Sequence, residues 1–184
     1  VPEIAVDLLL EADPTIATMG NFEQLTPLHL HCARKTASLS VAQKLVAAVP
    51  DHRFFMDAKH GYNPLHYACL NLNTELITYL TGLHEAYTRD RTPATDRSAL
   101  HVFCLQHPDD RYLPALEALL QAAPEMASRG DSLRGLTPLH LLFTNVRKKP
   151  ISLPIVEALI DASTASAKVA DHDECLPIHL ACQV

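Results

Sequence analysis

The sequence predicts an all-α solenoid built from stacked pairs of helices. The first indication is a hexamer, LTPLHL, which occurs at Leu25–Leu30 and again at Leu136–Leu141. Looser copies of it begin at Asn63, Ser98 and Leu176. The histidines of the five copies are 37, 35, 39 and 39 residues apart. An internal period of about 20–50 residues is typical of arrays in which each repeat stacks on its neighbours.

A second marker divides each repeat into a constant part and a variable part. A leucine recurs in the apolar run after each motif, and the next motif histidine follows it by 20 or 21 residues. From each histidine to the following leucine, the separation varies between 14 and 19 residues. Surface loops accept insertions at little cost, so the variable part is predicted to be a surface loop between two helices. The marker leucines are Leu9, Leu45, Leu80, Leu119 and Leu159.

The hexamer has the composition of a helix start. Thr26 is a good N-cap, and Pro27 suits the first helical position, where its missing N–H is harmless. This start recurs, complete or in part, at Asn63-Pro64, Ser98-Ala99, Thr137-Pro138 and Leu176-Pro177. We therefore predict that each motif opens the first helix of a pair.

The run around each marker leucine predicts the second helix of the pair. Apolar residues recur there at helical spacing, as at Leu116, Leu119, Leu120 and Ala123. Prolines stand near its predicted start at Pro2, Pro114 and Pro154, and just past its predicted end at Pro14, Pro50 and Pro124. Asn, Asp and Gly then cluster before the next motif, a composition that predicts a tight turn.

The chain resembles the ankyrin-repeat family. A turn, a helix opened by T-P-L-H and a second helix with a leucine pair recur in register over nearly the whole chain. The family's glycine before the motif is present as Gly61 and Gly135 and is replaced by Gln24, Asp96 and Glu174. Its small residue two places after the histidine is replaced by His31, Phe103 and Leu142. The resemblance implies antiparallel helix pairs, turns that project as fingers, and a concave surface formed by fingers and first helices.

The resemblance also implies that the motif residues are structural, and that each motif imidazole bonds to backbone near its turn. This set comprises Thr26, Pro27, His29, Pro64, His66, His101, Thr137, Pro138, His140, Pro177 and His179. We expect one array, with a partial repeat at 1–20, repeats at about 21–57, 58–92, 93–130 and 131–170, and a partial repeat at 171–184. Neither end has the polar character of a solenoid cap, so we expect the array to continue beyond this chain. Two degenerate caps are the alternative.

By register, the family's partner contacts fall on two finger residues, the residue before the motif and two residues near the end of the first helix. The first two repeats then offer Phe22, Glu23, Leu25, Ala33 and Arg34, and Lys59, His60, Tyr62, Leu70 and Asn71. The next two offer Ala94, Thr95, Arg97, Leu105 and Gln106, and Leu133, Arg134, Leu136, Thr144 and Asn145. Tyr62, Arg97 and Arg134 are the strongest candidates, because tyrosine and arginine are favoured interface anchors.

The composition disfavours several functions. A formal net charge of −6 without a basic face disfavours nucleic-acid binding. No apolar run approaches the roughly 18 residues of a membrane span, and the first residues given lack the basic-then-apolar pattern of a signal peptide. Four of the five cysteines stand three residues after a motif histidine, where the fourth copy has Phe143, so they are expected to act as small apolar residues. Reduced thiols indicate an intracellular protein, in cytoplasm or nucleus.

Three polar stretches contain residue types that occur in chemical sites. His29–Cys32 and Asp171–Cys175 contain zinc-ligand types, and the second could also be drawn as a cysteine nucleophile with its base. For both we favour the structural interpretation, a core register and a solvated finger tip. The basic run Arg147–Lys149 is expected in a loop between helices, either simply exposed or in contact with an acidic partner or a lipid headgroup.

The sequence therefore predicts a non-catalytic module that binds a partner protein, with no cofactor, metal or small-molecule substrate. Two alternatives keep the fold and change the role: the targeting arm of a larger enzyme or channel, and a fixed subunit of a large assembly. A metal-dependent enzyme within these residues is a further alternative, which stoichiometric zinc in the purified protein would support.

Overall fold

The computed structural model describes residues 3–49, 56–83, 86–144 and 150–183, and within these ranges it is helical with no strand. The prediction of an all-helical repeat is confirmed. The α-helices are α1 (Glu3–Ala12), α2 (Pro27–Cys32), α3 (Leu39–Ala47), α4 (Pro64–Leu70), α5 (Thr74–Leu83), α6 (Ala86–Arg89), α7 (Ala99–Leu105), α8 (Leu113–Ala122), α9 (Pro138–Phe143), α10 (Leu153–Ala162) and α11 (Pro177–Ala181).

The long-range contacts arrange these helices in two layers. The inner layer contains α2, α4, α7, α9 and α11, each in contact with the next, and the outer layer contains α1, α3, α5, α8 and α10 in the same relation. One inner and one outer helix make a pair: pair 1 is α2 with α3, pair 2 is α4 with α5, pair 3 is α7 with α8, and pair 4 is α9 with α10. Each pair therefore contacts only its neighbours, which is the stacking of a solenoid.

A capping box that uses histidine starts the inner helices. At α4, the Asn63 side-chain oxygen accepts the N–H of His66 at 3.1 Å, and His66 Nδ1 accepts the N–H of Asn63 at 3.3 Å. Thr137 and His140 make the same two bonds at α9, at 3.4 and 3.2 Å. Glutamate or glutamine usually makes the second bond of a capping box. T-P-L-H is thus a helix start in which imidazole satisfies the free N–H of the N-cap residue.

Four outer helices are followed by a short third element that the sequence analysis did not predict. Pro14–Thr18, Pro124–Ser128 and Thr164–Lys168 are 3₁₀ helices, and α6 holds the same place after α5. Pro14 and Pro124 end the outer helices as predicted, and each also opens the following 3₁₀ turn. Pro2 and Pro50 lie outside the described residues.

The core lies between the two layers. The leucine just before each motif histidine is buried in pairs 1 to 4, and so are the marker leucines of the outer helices α3, α5, α8 and α10. Cys32, Cys69 and Cys104 are buried free thiols on the predicted core register, whereas Cys182, the residue that follows α11, is exposed. Phe103 and Leu142, which replace the family's small residue, are also buried. In the described ranges, no helix is long and apolar enough to cross a membrane.

Candidate partner-binding surface

A turn precedes each inner helix, and we call these turns fingers 1 to 5. They span residues 21–25, 57–62, 92–97, 131–136 and 171–175. In finger 2, Asp57 accepts the N–H groups of Lys59, His60 and Tyr62 at 2.8, 2.7 and 2.8 Å. The first residue of the other fingers also accepts N–H groups of its own turn, through the side chains of Asn21, Thr92, Asp131 and Asp171. Each finger is therefore held in shape by its own first side chain.

Sequence reasoning missed these anchors, although a signal exists. The first finger residue stands eight or nine positions before each motif histidine. Its type alternates among Asn, Asp and Thr, all of which accept turn N–H groups. Burial acts to raise the pKa of Asp57, but the N–H groups of His60, Tyr62 and Lys59 outweigh it, so the pKa lies below its ordinary value. Asp57 is thus an ionised structural group at neutral pH.

Every finger passes through the left-handed backbone region at one residue near its end. Gly61 and Gly135 do so with φ of 67° and 71°. Gln24, Asp96 and Glu174 adopt the same conformation with φ of 60°, 55° and 59°. The finger shape is therefore kept where the glycine is absent, at the steric cost of placing a Cβ in that region.

Each motif histidine of pairs 1 to 4 also bonds to the backbone that precedes the next inner helix. Its Nε2 lies 2.9–3.3 Å from a carbonyl oxygen, and the four accepting residues in chain order are Tyr62, Arg97, Arg129 and Cys175. Nδ1 is already the acceptor in the capping box, so the geometry assigns a neutral imidazole that donates from Nε2. His179 makes the capping-box bond with the N–H of Leu176 at 2.9 Å and is itself exposed.

Burial is the main reason why these rings stay neutral. It lowers the pKa of His66 to about 4, against the opposing effect of the bond to the Arg97 carbonyl. Burial lowers the pKa of His101 to about 4 as well, opposed by the Arg129 carbonyl, and it lowers that of His140. Neutral imidazole is the form that can accept at Nδ1 and donate at Nε2 at once, so protonation would remove the capping-box bond.

Neighbouring fingers are joined through their backbones at three of four junctions. Ala58 donates its N–H to the Glu23 carbonyl at 2.8 Å, and the junctions of fingers 3 with 4 and 4 with 5 have equivalent bonds of 3.0 and 2.8 Å. At the junction of fingers 2 and 3 the donor position is Pro93, which has no N–H. There the proline ring packs on Gly61 instead, where an added Cβ would lie 2.3 Å from Pro93 Cδ.

Two arginines proposed as partner contacts pair with acids of the next finger. Arg97 donates from Nε and Nη2 to Oδ2 of Asp131, at 3.0 and 2.9 Å, and the Asp131 side chain is fully buried. Burial acts to raise the pKa of Asp131, but bonds from the Arg134 N–H and the Arg97 guanidinium outweigh it and leave the pKa lowered. Arg134 pairs with Asp173 at 2.8 Å in a largely exposed contact. Arg97 therefore has a structural function in addition to its place on this face.

The remaining predicted finger residues differ sharply in exposure. Phe22 is 94% exposed at the tip of finger 1, and Leu133, at the matching position of finger 4, is 55% exposed. Lys59 and His60 are exposed on finger 2, and Glu23 is half-buried. Leu136, which was also predicted as a contact residue, is buried because its apolar side chain packs into the core, so it offers a partner little surface. Asn145 and the basic run Arg147–Lys149 lie outside the described residues.

An aromatic cluster extends from finger 2 onto α4. The Tyr62 ring stacks on His66 with centroids 5.2 Å apart and meets Tyr67 edge-on at 5.5 Å. His60 lies 5.4 Å from Tyr62 on the finger side. Tyr67 donates its hydroxyl to Asp57 at 3.2 Å, which fixes the ring. Both tyrosines are half-buried, so each keeps part of its surface on the inner face.

The predicted residues at the ends of the inner helices meet at a groove of about 460 Å³. Its lining comprises Lys35, Leu70, Asn71, Leu72, Asn73, Gln106 and Tyr112. Asn71 donates its amide to the Cys32 and Tyr67 carbonyls, both at 3.2 Å, so it joins pair 1 to pair 2. Arg34 is exposed at the end of α2, on the side toward α1. The helix-end positions therefore form a recess, whereas the finger positions form a row of tips.

Neither polar stretch proposed from the sequence forms a cluster of metal ligands in the described part of the chain. No group of three His, Cys, Asp or Glu side chains there is arranged to hold a metal ion, and this covers both His29–Cys32 and Asp171–Cys175. His31 Nε2 lies 2.8 Å from the Ser38 carbonyl, and Asp171 accepts two N–H groups of its own finger. Burial raises the pKa of Cys32 to about 12 and raises that of Cys69 further above its usual range. The buried thiols are therefore inert apolar groups.

Similarity to solved structures decides the fold family. No protein-family model and no curated protein match the chain. The structure is similar to the crystal structure of the ankyrin repeat domain of Bcl-3, described as a unique member of the IkappaB protein family, with a TM-score of 0.68. The chain has the ankyrin-repeat fold. The match covers 97% of this chain and 75% of that one at 18% sequence identity, so it establishes the fold, while the ankyrin-repeat array's own partner has to be argued from its surface.

Proposed function

We propose that this ankyrin-repeat array is a non-catalytic protein-binding module whose partner contacts the finger tips and the inner-layer helices. Ankyrin-repeat folds typically serve protein–protein interaction, which supports the general role. The observation that carries the proposal is the exposure of Phe22. Its side chain is 94% exposed at a finger tip, and its ring does not pack into the hydrophobic core. Large exposed aromatic side chains are frequent anchors of interfaces.

The scaffold beneath these tips favours binding. The fingers are fixed by their anchor side chains, by the motif histidines and by the bonds between fingers. A surface that is already ordered loses little conformational entropy when a partner docks, so more of the contact energy appears as affinity. The same contact would serve the array as the targeting arm of a larger enzyme or as a fixed subunit of an assembly.

Photo-crosslinking tests the proposal. We would place p-benzoylphenylalanine at Phe22 or at Leu133 and, as the control, at Glu75, which is exposed on the outer helix α5. In cells that express the protein, we expect crosslinks to a partner protein from both finger tips and not from α5. Crosslinks from α5 alone, or equally from all three sites, would contradict the proposal. Phe22→Ala should abolish the crosslink from Leu133 while changing the unfolding free energy by less than about 0.5 kcal/mol.

A further inference from the structure

The inner face of pair 2, together with Lys35 from the loop after α2, carries a series of side chains that pairs 3 and 4 lack. We call it the tyrosine track, and it consists of Lys59, His60, Tyr62, Tyr67, Leu70 and Lys35. His60, Tyr62 and Tyr67 follow one another with ring centroids 5.4 and 5.5 Å apart. Leu70 lies one helical turn beyond Tyr67 and is 40% exposed at the rim of the groove that Lys35 also lines. The track therefore places a cation at each end of an apolar and aromatic middle.

The equivalent positions in the other pairs differ in character. Tyr67 corresponds to Val102 in pair 3 and to Leu141 in pair 4, and both of these are buried. Tyr62 corresponds to Arg97, which pairs with Asp131, and to the buried Leu136. Pair 1 has Leu30, which is 48% exposed, at the Tyr67 position, and its exposed aromatic residue, Phe22, lies at the finger tip. Among pairs 1 to 4, pair 2 is therefore the one in which aromatic side chains continue from the finger onto the inner helix.

The charges of the track are free to meet a partner. Lys35 and Lys59 are exposed, and neither forms an ion pair with any residue of the described ranges. The acidic groups nearest the track are Asp57, whose carboxylate is buried and bonded to three N–H groups, and the half-buried Glu23. By contrast, Arg134 in pair 4 is already paired with Asp173.

We propose that the tyrosine track binds an extended segment of a partner protein in which apolar residues are flanked by acidic residues. This inference rests on the proposed function and specifies its partner. The two lysines complement carboxylates at the ends of such a segment, and Tyr62, Tyr67 and Leu70 accept the apolar side chains between them. An extended segment of about six residues spans roughly 20 Å.

The outer surface argues against a nucleic acid as the anionic ligand. The outer helices, α6 and the three 3₁₀ helices that follow α1, α8 and α10 contain eight acidic and three basic residues, and the inner helices contain none of either. These acidic helices and the net charge of −6 give the array an overall negative potential that repels a long strand of phosphates, whereas a short peptide segment needs only local complementarity to the two lysines.

Peptide selection on the intact chain tests the proposal. The probe is a library of random 12-residue peptides displayed on phage, selected against the immobilised chain and against empty wells. We expect enriched peptides with acidic residues on both sides of an apolar pair. For a synthetic copy of the best peptide, the double variant Lys35→Glu/Lys59→Glu should lower the affinity about tenfold or more. Lys168→Glu, an exposed reversal in the last 3₁₀ helix, is the matched control and should change the affinity less than about twofold.

Each other outcome overturns the inference in a recognisable way. Enriched peptides without an acidic excess, or equal affinity in the double lysine variant with its circular dichroism unchanged, would exclude the acidic segment. If the selected peptides lack the acidic residues but still crosslink to p-benzoylphenylalanine at position 22 or 133, the proposed binding module is supported. Only the proposed chemistry of its partner is then wrong. Equal binding of a single-stranded dT12 oligonucleotide would assign the track to nucleic acid. No enrichment over empty wells would remove the track as a peptide site, and crosslinking from the finger tips would decide the proposed function separately.

Discussion

Single side chains fix the fingers, and the same chemistry recurs where the residue type changes. Asn21, Asp57 and Thr92 hold equivalent positions, and each accepts N–H groups of its own turn. The sequence analysis recognised the turn composition but missed this position, because its identity varies and its distance to the motif histidine shifts by one residue. A rule stated as a capacity to accept N–H groups, rather than as a residue type, would have found it.

The left-handed finger residue gives the first stability prediction. Gln24 adopts φ of 60° and is exposed, so its side chain gains little in return for the strained backbone. Gln24→Gly should stabilise the array by about 1 kcal/mol, reduced somewhat by the greater freedom of glycine in the unfolded chain. Gly61→Ala is the converse variant, because its φ is 67° and its Cβ would overlap Pro93. Urea unfolding should show opposite shifts in midpoint, and a destabilised Gln24→Gly would contradict the argument.

At the scale of elements, the periodic pattern predicted the inner and outer helices but not the short elements between them. Helical spacing needs several turns to be visible, and Pro124–Ser128 has five residues. It contacts α8, α9 and α10, so its place is decided by neighbouring helices rather than by its own sequence. The burial of Leu136 was not predicted for a related reason, since register places a residue on a finger without fixing the direction of its side chain.

The two finger ion pairs predict different coupling energies at this scale. Arg97 and Asp131 are 20% and 0% exposed at their side chains, whereas Arg134 and Asp173 are 59% and 66% exposed. In a double-mutant cycle with Arg97→Gln and Asp131→Asn, we expect a coupling of about 2 kcal/mol, because the single variants leave a buried partner unpaired. The matched cycle with Arg134→Gln and Asp173→Asn should give no measurable coupling, since water screens it. Equal couplings would refute the distinction.

At the scale of the whole molecule, the repeat period was sufficient to predict the solenoid, but it was not sufficient to predict the partner surface. The register placed Phe22, Tyr62, Arg97 and Leu136 on the same face. The structure distinguishes them, because Phe22 is exposed, Arg97 is paired with Asp131 and Leu136 is buried. Tyr67 was not among the predicted contacts, because the contact register carried over from the family does not include the residue after the motif histidine. These distinctions depend on contacts between repeats more than thirty residues apart, such as that between Arg97 and Asp131.

Buried histidines make the stability of the whole array depend on pH. Burial lowers the pKa of His66 and His101 to about 4 and lowers that of His140, while an unfolded histidine keeps its ordinary pKa of 6.5. Between these values the unfolded chain binds protons that the folded chain excludes. Stability is therefore fully present above about pH 6.5 and is lost as the pH falls toward 4, by about 1.4 kcal/mol per pH unit for each histidine.

Urea unfolding at pH 8, 7, 6 and 5 measures this dependence. The unfolding free energy should be nearly flat between pH 8 and 7, which serves as the internal control, and should fall steeply between pH 6 and 5. Asp57 and Asp131 contribute stability above the ordinary carboxyl pKa of 3.8 and lose it only below that value. Their titration therefore does not contribute to the change in unfolding free energy between pH 6 and 5. His66→Gln keeps a residue that can accept the N-cap N–H and removes one titrating group. In the variant, the slope of the unfolding free energy against pH should therefore decrease by the contribution of one proton, about 1.4 kcal/mol per pH unit. An unchanged slope would show that other groups cause the acid sensitivity.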